Sequence, residues 1–397
     1  MAANHTKALI YSTVAMTASF MIWSVFPPIA GQLQEMFGLS TLEKSVLVAT
    51  PVLLGSVMRI PMGILTDRYG GRKVFTLTML FLILPMVAAG FADSYAWMLA
   101  CAFFIGMAGT TFAISLTFVS RWYPPQSQGF ILGIAGLGNL GGAAANFIVP
   151  SLSAAYGVEW VFFGLAIGIA AMAIVFYAFT KELPKPAEPK TLKQSLSVLK
   201  DKATWHLSIF YFLTFGGFVA FSVYLPTLLK DLFQLDAFDA GLRTAGFVLA
   251  ATLIRPAGGY LADRYGSKKI LTLVFVGILA AALVLSITLE QFAAFTFLCL
   301  FISLLLGLGN GAVFKMVPEV SAGNTGAVTG IVGAAGGIGG FFPPIVLGIV
   351  KDATGQYNLG FVFMVVFAAA CLILNYAALR PARPDHPQSG KSHGMAS

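Results

Sequence analysis

Charge is scarce in this chain: Asp, Glu, Lys and Arg make up 10% of its 397 residues, while apolar residues make up 58%. With a mean hydropathy of +0.84, that balance excludes an ordinary soluble domain and requires a chain that crosses a membrane many times. Cysteine is also rare. Cys101, Cys299 and Cys371 each lie in an apolar run, without the spacing of a metal site or a disulfide framework. Histidine is rarer than its count of four suggests, because His5, His386 and His393 lie near the termini and His206 starts an apolar run. No Ser/His/Asp, Cys/His or nucleotide-binding pattern is present, and the glycine spacing near Gly133 follows no strand. An enzyme, a metal and a cofactor are therefore not expected. The formal net charge of +8 does not point to nucleic acid, because the cations fall in short connections between apolar runs and not along one soluble face.

A hydrocarbon layer of roughly 30 Å needs about 20 mostly apolar residues per helix. Twelve runs meet this, near 8–30, 45–66, 73–91, 95–119, 128–154, 158–180, 205–229, 240–262, 269–289, 291–317, 325–350 and 357–379. The first has a weak basic start and no small-residue cleavage site before the second, so it reads as a retained helix and not a removed signal. Lysine and arginine concentrate in alternate connections, among them Arg68, Arg72 and Lys73; Arg121; Lys181 to Lys202; and Arg264, Lys268 and Lys269. The positive-inside rule then places both termini in the cytoplasm of a multi-pass cytoplasmic (inner) membrane protein. The polar, proline-bearing stretch 181–204 reads as a linker between an N-terminal six-helix bundle, 1–180, and a C-terminal one, 205–380, followed by a cytoplasmic tail, 381–397.

The halves repeat one another. GILTDRYGGRK from Gly63 matches GYLADRYGSKK from Gly259, 196 residues later. Arg59 and Arg255 share this offset, each eight residues before the motif aspartate, Asp67 or Asp263. At 1.5 Å per residue they lie about 12 Å inside the membrane from those helix ends. Every Asp and Glu falls in a loop or at a helix end, so both guanidiniums lack a counter-charge where burying a charge costs several kcal/mol. A bound anion would supply it. The alternative is that each arginine satisfies carbonyls of a broken helix, as Pro61 and Pro256 just after them allow.

The motif carboxylates, with Arg68 and Arg264 beside them, suit a gate: at a cytoplasmic helix end each aspartate can hold a cationic group or a helix N-terminus. A charged turn that only enforces topology is the plainer reading. The glycine stretches GIAGLGNLGG from Gly133 and GIVGAAGGIGG from Gly330 indicate close helix packing. In a regular helix five, Asn139 points into the sector that Gly133, Gly136, Gly138, Gly141 and Gly142 leave, toward either a ligand or a neighbouring helix. Lys315, one turn before Glu319, reads as an interfacial i,i+4 ion pair, with proton coupling or an anion path as the alternative.

Together RIPMGILTDRYGGRK from Arg59, GIAGLGNLGG, FYFLTFGGFVAF from Phe210, RPAGGYLADRYGSKK from Arg255 and GIVGAAGGIGGFFPP from Gly330 resemble the nitrate/nitrite porter family of the major facilitator superfamily across nearly the whole chain. That resemblance implies an all-α membrane protein of twelve transmembrane helices in two pseudo-symmetric six-helix bundles, working by rocker-switch alternating access. It implies that Arg59 and Arg255 clamp the anion from opposite halves, that Asn139 and Tyr211 donate further hydrogen bonds, and that Phe20, Phe112 and Phe215 wall it. It also marks Gly133, Gly136, Gly138, Gly141, Gly330, Gly333, Gly337 and Gly339 as signature positions.

The expected partners are nitrate and nitrite, planar monovalent anions suited to ring faces and in-plane donors, with the lipid bilayer around a monomer. Helix interiors hold no Asp, Glu or His to titrate, which favours nitrate/nitrite exchange. Nitrate/proton symport is the alternative, with protons as a further partner. A nitrate-binding sensor would need docking segments longer than the linker and tail, and a larger organic anion would need more interior cations than two.

Overall fold

A chain with so few polar side chains must satisfy its backbone internally, and helices do this without water. The computed structural model describes residues 2–183, 196–235, 237–321 and 324–378. Among them, twelve helical spans are long and apolar enough to cross a membrane. The first six are Asn4–Phe37, Val46–Tyr69, Gly71–Gly90, Tyr95–Ser120, Pro125–Tyr156 and Val158–Phe179. The second six are Lys202–Pro226, Asp239–Tyr265, Ser267–Ile287, Phe292–Val320, Thr325–Pro343 and Asn358–Ala377. Large apolar side chains stand exposed around the rim, such as Leu84, Ile167, Ile174 and Ile287. On a soluble surface such a band would drive aggregation, but facing lipid it costs nothing.

Several spans are not single helices, and the breaks fall where the backbone loses a donor or a side chain. Span one ends its first helix at Trp23 and restarts at Phe26, because Pro27 and Pro28 lack the N–H that would continue the ladder. Span two stops at Val57 and restarts at Arg59. Span eight stops at Leu253 and restarts at Arg255. In both cases the proline one or two residues inside the new helix leaves a carbonyl of the preceding turn without its donor. Span four tightens into a 3-10 stretch at Gly106–Thr110 and span five into another at Gly136–Asn139. A 3-10 stretch turns 120° per residue, so the angular placement of Asn139 expected for a regular helix does not hold.

The segment expected as a linker is already structured at its end: Ser197–Lys200 forms one 3-10 turn and the seventh helix starts at Lys202. The rest of the linker, 184–195, and the tail from 379 lie outside the described residues. The tight turns after spans two and eight each pass through a glycine, Gly70 at φ 93° and Gly266 at φ 87°, a region closed to most side chains. This accounts for the glycine after DRY in both copies of the repeat.

Candidate anion site between the halves

The two helix breaks place Arg59 and Arg255 as the first residues of their inner helices. Their side chains are 0% and 1% exposed. Arg59 Nε donates to the Gly109 carbonyl at 3.0 Å, in the 3-10 stretch of span four. Its Nη1 donates to the Gly333 carbonyl of span eleven at 2.7 Å. To that extent Arg59 does satisfy carbonyls of broken or glycine-rich helix, the alternative that the prolines raised. Arg255 makes one long bond, from Nη2 to the Tyr211 hydroxyl at 3.4 Å. Arg59 Nη2 and Arg255 Nε and Nη1 are buried without a hydrogen-bond partner. A buried guanidinium nitrogen left unpaired is costly, and three of them on two cations define an unmet demand for acceptors carrying negative charge.

Aromatic rings enclose that demand. The guanidinium carbons of Arg59 and Arg255 lie 5.0 Å and 5.3 Å from the centroid of the same Phe112 ring, and Phe215 is 5.4 Å from Arg59. Tyr211 and Phe215 stack at 5.0 Å and 6°, and Phe112 lies 24° from Tyr211. Phe112, Tyr211 and Phe215 are thus close to parallel, while Phe314 stands nearly perpendicular to Phe112 and Tyr211, at 78° and 85°. Phe314 also lies 5.7 Å from the Arg255 guanidinium carbon. Phe20 packs against Trp23 at 5.2 Å, and it is the Trp23 ring that lies 6.0 Å from Arg59. Asn139 is 6% exposed and its Oδ1 is buried without a partner.

Four of the eight signature glycines, Gly133, Gly136, Gly330 and Gly333, make room for an arginine of the opposite half or the backbone beside it. A Cβ on Gly133 would come 2.6 Å from Pro256 Cα, and one on Gly330 would come 2.5 Å from the Arg59 carbonyl. One on Gly136 would strike Arg255 Nε, and one on Gly333 would sit 3.2 Å from Arg59 Cδ. Gly138 and Gly141 face Met16 and Thr17 of span one, Gly337 faces Ser56, and Gly339 faces Phe212. Close helix approach and an open arginine slot therefore have one cause, the missing side chain.

Toward the motif end the halves are latched. Asp67 Oδ2 accepts from the backbone N–H groups of Gly326 and Ala327 at 2.8 and 3.2 Å. Asp263 accepts from Gly129 and Phe130 at 3.1 and 2.8 Å. Each carboxylate thus holds the first N–H groups of a helix in the other half, where the positive end of the helix dipole favours it. Arg68 and Arg264 turn outward instead, each over its neighbouring tyrosine at 5.3 Å. Lys315 Nζ pairs with Asp263 at 3.1 Å and Glu319 at 3.3 Å, and donates to the Pro125 carbonyl in the first half. The i,i+4 pair with Glu319 is present, but it is one part of a contact that spans the halves.

Trp23 and Phe314 had no role at the level of sequence. Trp23 lies three residues after Phe20, hence on the same helix face, and that was its one readable signal; Phe314 had none among 35 phenylalanines.

The profile of the family described as Major Facilitator Superfamily matches residues 10–342 and 207–395. Among curated proteins, the chain is 39% identical to the "Nitrite extrusion protein" of Bacillus subtilis, over 92% of each chain. It is 37% identical to the "Probable nitrate/nitrite transporter NarK2" of Mycobacterium tuberculosis, over 96% of this chain and 98% of that one. It is 36% identical to the "Probable nitrate transporter NarT" of Staphylococcus epidermidis, over 92% of this chain and 94% of that one. Among solved structures, the human organic anion transporter MFSD10 superposes with a TM-score of 0.80 at 15% identity, covering 94% of this chain and 99% of that one. For the transporter FucP the TM-score is 0.73 at 18% identity, covering 93% and 99%. At such identities these two likenesses concern the fold.

Proposed function

Because the chain belongs to the nitrate/nitrite porter family of the Major Facilitator Superfamily, a family of membrane transporters and not of enzymes, we propose that it carries nitrate and nitrite by exchanging one for the other. The observation that carries this reading is the pair of buried guanidiniums with three unpartnered nitrogens against a shared phenylalanine face. A planar monovalent oxyanion fits there: its in-plane oxygens take the arginine N–H groups and its faces lie on rings. Tyr211 and Asn139 complete the polar set, with Phe112 and Phe215 as walls and Phe20 behind Trp23.

Arg59 and Arg255 come from opposite halves, so an anion between them joins residues 1–180 to residues 205–380. With the anion bound, one of two positive charges is offset and the halves rock about the site, opening its ends alternately. Empty, the doubly positive site moves reluctantly in the membrane interior, and return requires a second anion. Asp67 and Asp263 hold the end that the basic connections place in the cytoplasm, together with Lys315 and Glu319. Lys315 has two carboxylates and a carbonyl around it, which suits a strut of the closed gate better than a station for an anion.

Nitrate uptake into proteoliposomes, with internal nitrite present or absent and with or without a pH gradient, tests the reading. Stimulation by internal nitrite is expected. Uptake driven only by the pH gradient overturns exchange in favour of proton symport, and nitrate binding without any flux overturns transport.

A further inference from the structure

Resting on the anion reading above, we propose that Trp23 is a wall of the anion site on the side away from the Asp67 and Asp263 latch, in contact with the bound anion. Its indole N–H donates to the Pro51 carbonyl at 3.1 Å. Pro51 lies eight residues before Arg59 on span two, about 12 Å further from the latch by helical rise. The same ring reaches back to within 6.0 Å of the Arg59 guanidinium carbon. Trp23 therefore covers the stretch between the charge and the far end of the bundle.

The slot that holds it is cut by two glycines. A Cβ on Gly55 would lie 2.7 Å from the indole nitrogen and one on Gly109 2.8 Å from it. Gly109 is also the residue whose carbonyl Arg59 Nε holds, so the indole and the guanidinium grip one 3-10 stretch from two sides. Trp23 differs from the other rings around the arginines in exposure: it is half-buried, whereas Phe112, Tyr211, Phe215 and Phe314 are buried. It is also the last residue of its helix, so it can swing with the outer part of span one. With its N–H held by the Pro51 carbonyl, the indole is fixed in place and offers a bound oxyanion its broad ring, which a phenylalanine could neither anchor nor match in area.

Nitrate and nitrite quench indole emission at contact, which gives a direct readout. Purified protein in lipid nanodiscs should show a saturable quench whose half-point tracks the transport KM, above a linear collisional part from exposed Trp97, Trp160 and Trp205. In Trp23→Phe the saturable part should vanish and the nitrate KM should rise roughly 2- to 10-fold, with kcat changed less. Trp160→Phe should retain both wild-type properties. On the wild-type chain, nitrate should slow oxidation of Trp23 and not of Trp160 by N-bromosuccinimide, read by mass spectrometry. A saturable quench that persists in Trp23→Phe, or Trp23 oxidation that ignores nitrate, overturns the proposal while leaving exchange standing. A wild-type protein that moves neither anion overturns the reading beneath it.

Discussion

Arg59 and Arg255 retain their charge as lysines but lose the planar fork that presents several N–H donors at once. Arg59→Lys and Arg255→Lys should each lower nitrate/nitrite exchange by at least about 10-fold, the loss expected when one or two charged hydrogen bonds of about 1.5–3 kcal/mol are removed. The protein should still reach the membrane, and proteoliposome flux normalised to protein content measures the effect. At the latch end Glu182 accepts the Arg72 backbone N–H at 2.8 Å and approaches Arg121 at 3.9 Å. Burial pushes its carboxyl above the ordinary value of 4.5, with the Arg72 amide and Arg121 pulling back. A carboxyl whose folded pKa is raised binds its proton more tightly in the folded chain, so its contribution favours folding at low pH and declines as pH rises from the ordinary value through the raised one. The melting temperature of wild type relative to Glu182→Gln should decline as pH rises across the mildly acidic range. Both arginines were legible in the sequence as charges inside apolar runs, and both motif aspartates through a motif repeated at one offset. Trp23 and Phe314 were not, since one more aromatic in a chain with 35 phenylalanines and five tryptophans carries no mark until its neighbours are known.

At the level of the helix, the glycine signatures combine two tasks that sequence could not separate. Spacing announced close packing, but which glycines face an arginine depends on where the helix tightens. Span five narrows at Gly136–Asn139, whereas span eleven runs as one α-helix over Thr325–Thr354. The two signatures therefore differ in tolerance. Gly136→Ala would drive a methyl into Arg255 Nε, while Gly333→Ala would place one 3.2 Å from the flexible Arg59 Cδ. Overpacking of about 1–3 kcal/mol is expected at Gly136 and less at Gly333. Exchange should thus fall more in Gly136→Ala, with a lower melting temperature; equal effects would show that the slot around Arg255 yields as readily as that around Arg59. The breaks before Arg59 and Arg255 were foreshadowed by Pro61 and Pro256, but those in spans four and five were not. Glycine-rich sequence permits several hydrogen-bond registers, and packing selects among them.

Across the whole molecule, every hydrogen bond described between the halves lies at Arg59 or on the latch side of it. The structure therefore represents the state closed at that end. Asp67→Asn and Asp263→Asn each keep the shape and lose the charge that two backbone N–H groups and a helix dipole favour. Each should shift the population toward opening at the latch by roughly 10- to 100-fold, from the usual 1.5–3 kcal/mol of charged hydrogen bonds. Spin-label distances across that mouth measure the shift; unchanged distances in both variants would remove the aspartates from gating. Lys315→Gln should act in the same direction through the loss of its bond to Pro125. The repeat in sequence made this twofold arrangement readable, whereas the third partner of Lys315 belongs to the other half and could emerge only from the packed chain.

At this mouth Gly63 lies on Gly326, and Gly129 on Gly259, so closely that a Cβ on any of the four would strike the facing backbone or the latch carboxylate. Those four positions have no rotamers to freeze when the mouth shuts and none to release when it opens. Side-chain ordering on closure then falls mainly on the latch groups Asp67, Asp263 and Lys315, so the balance rests on a few directional bonds and can be tipped by a ligand as small as a single anion.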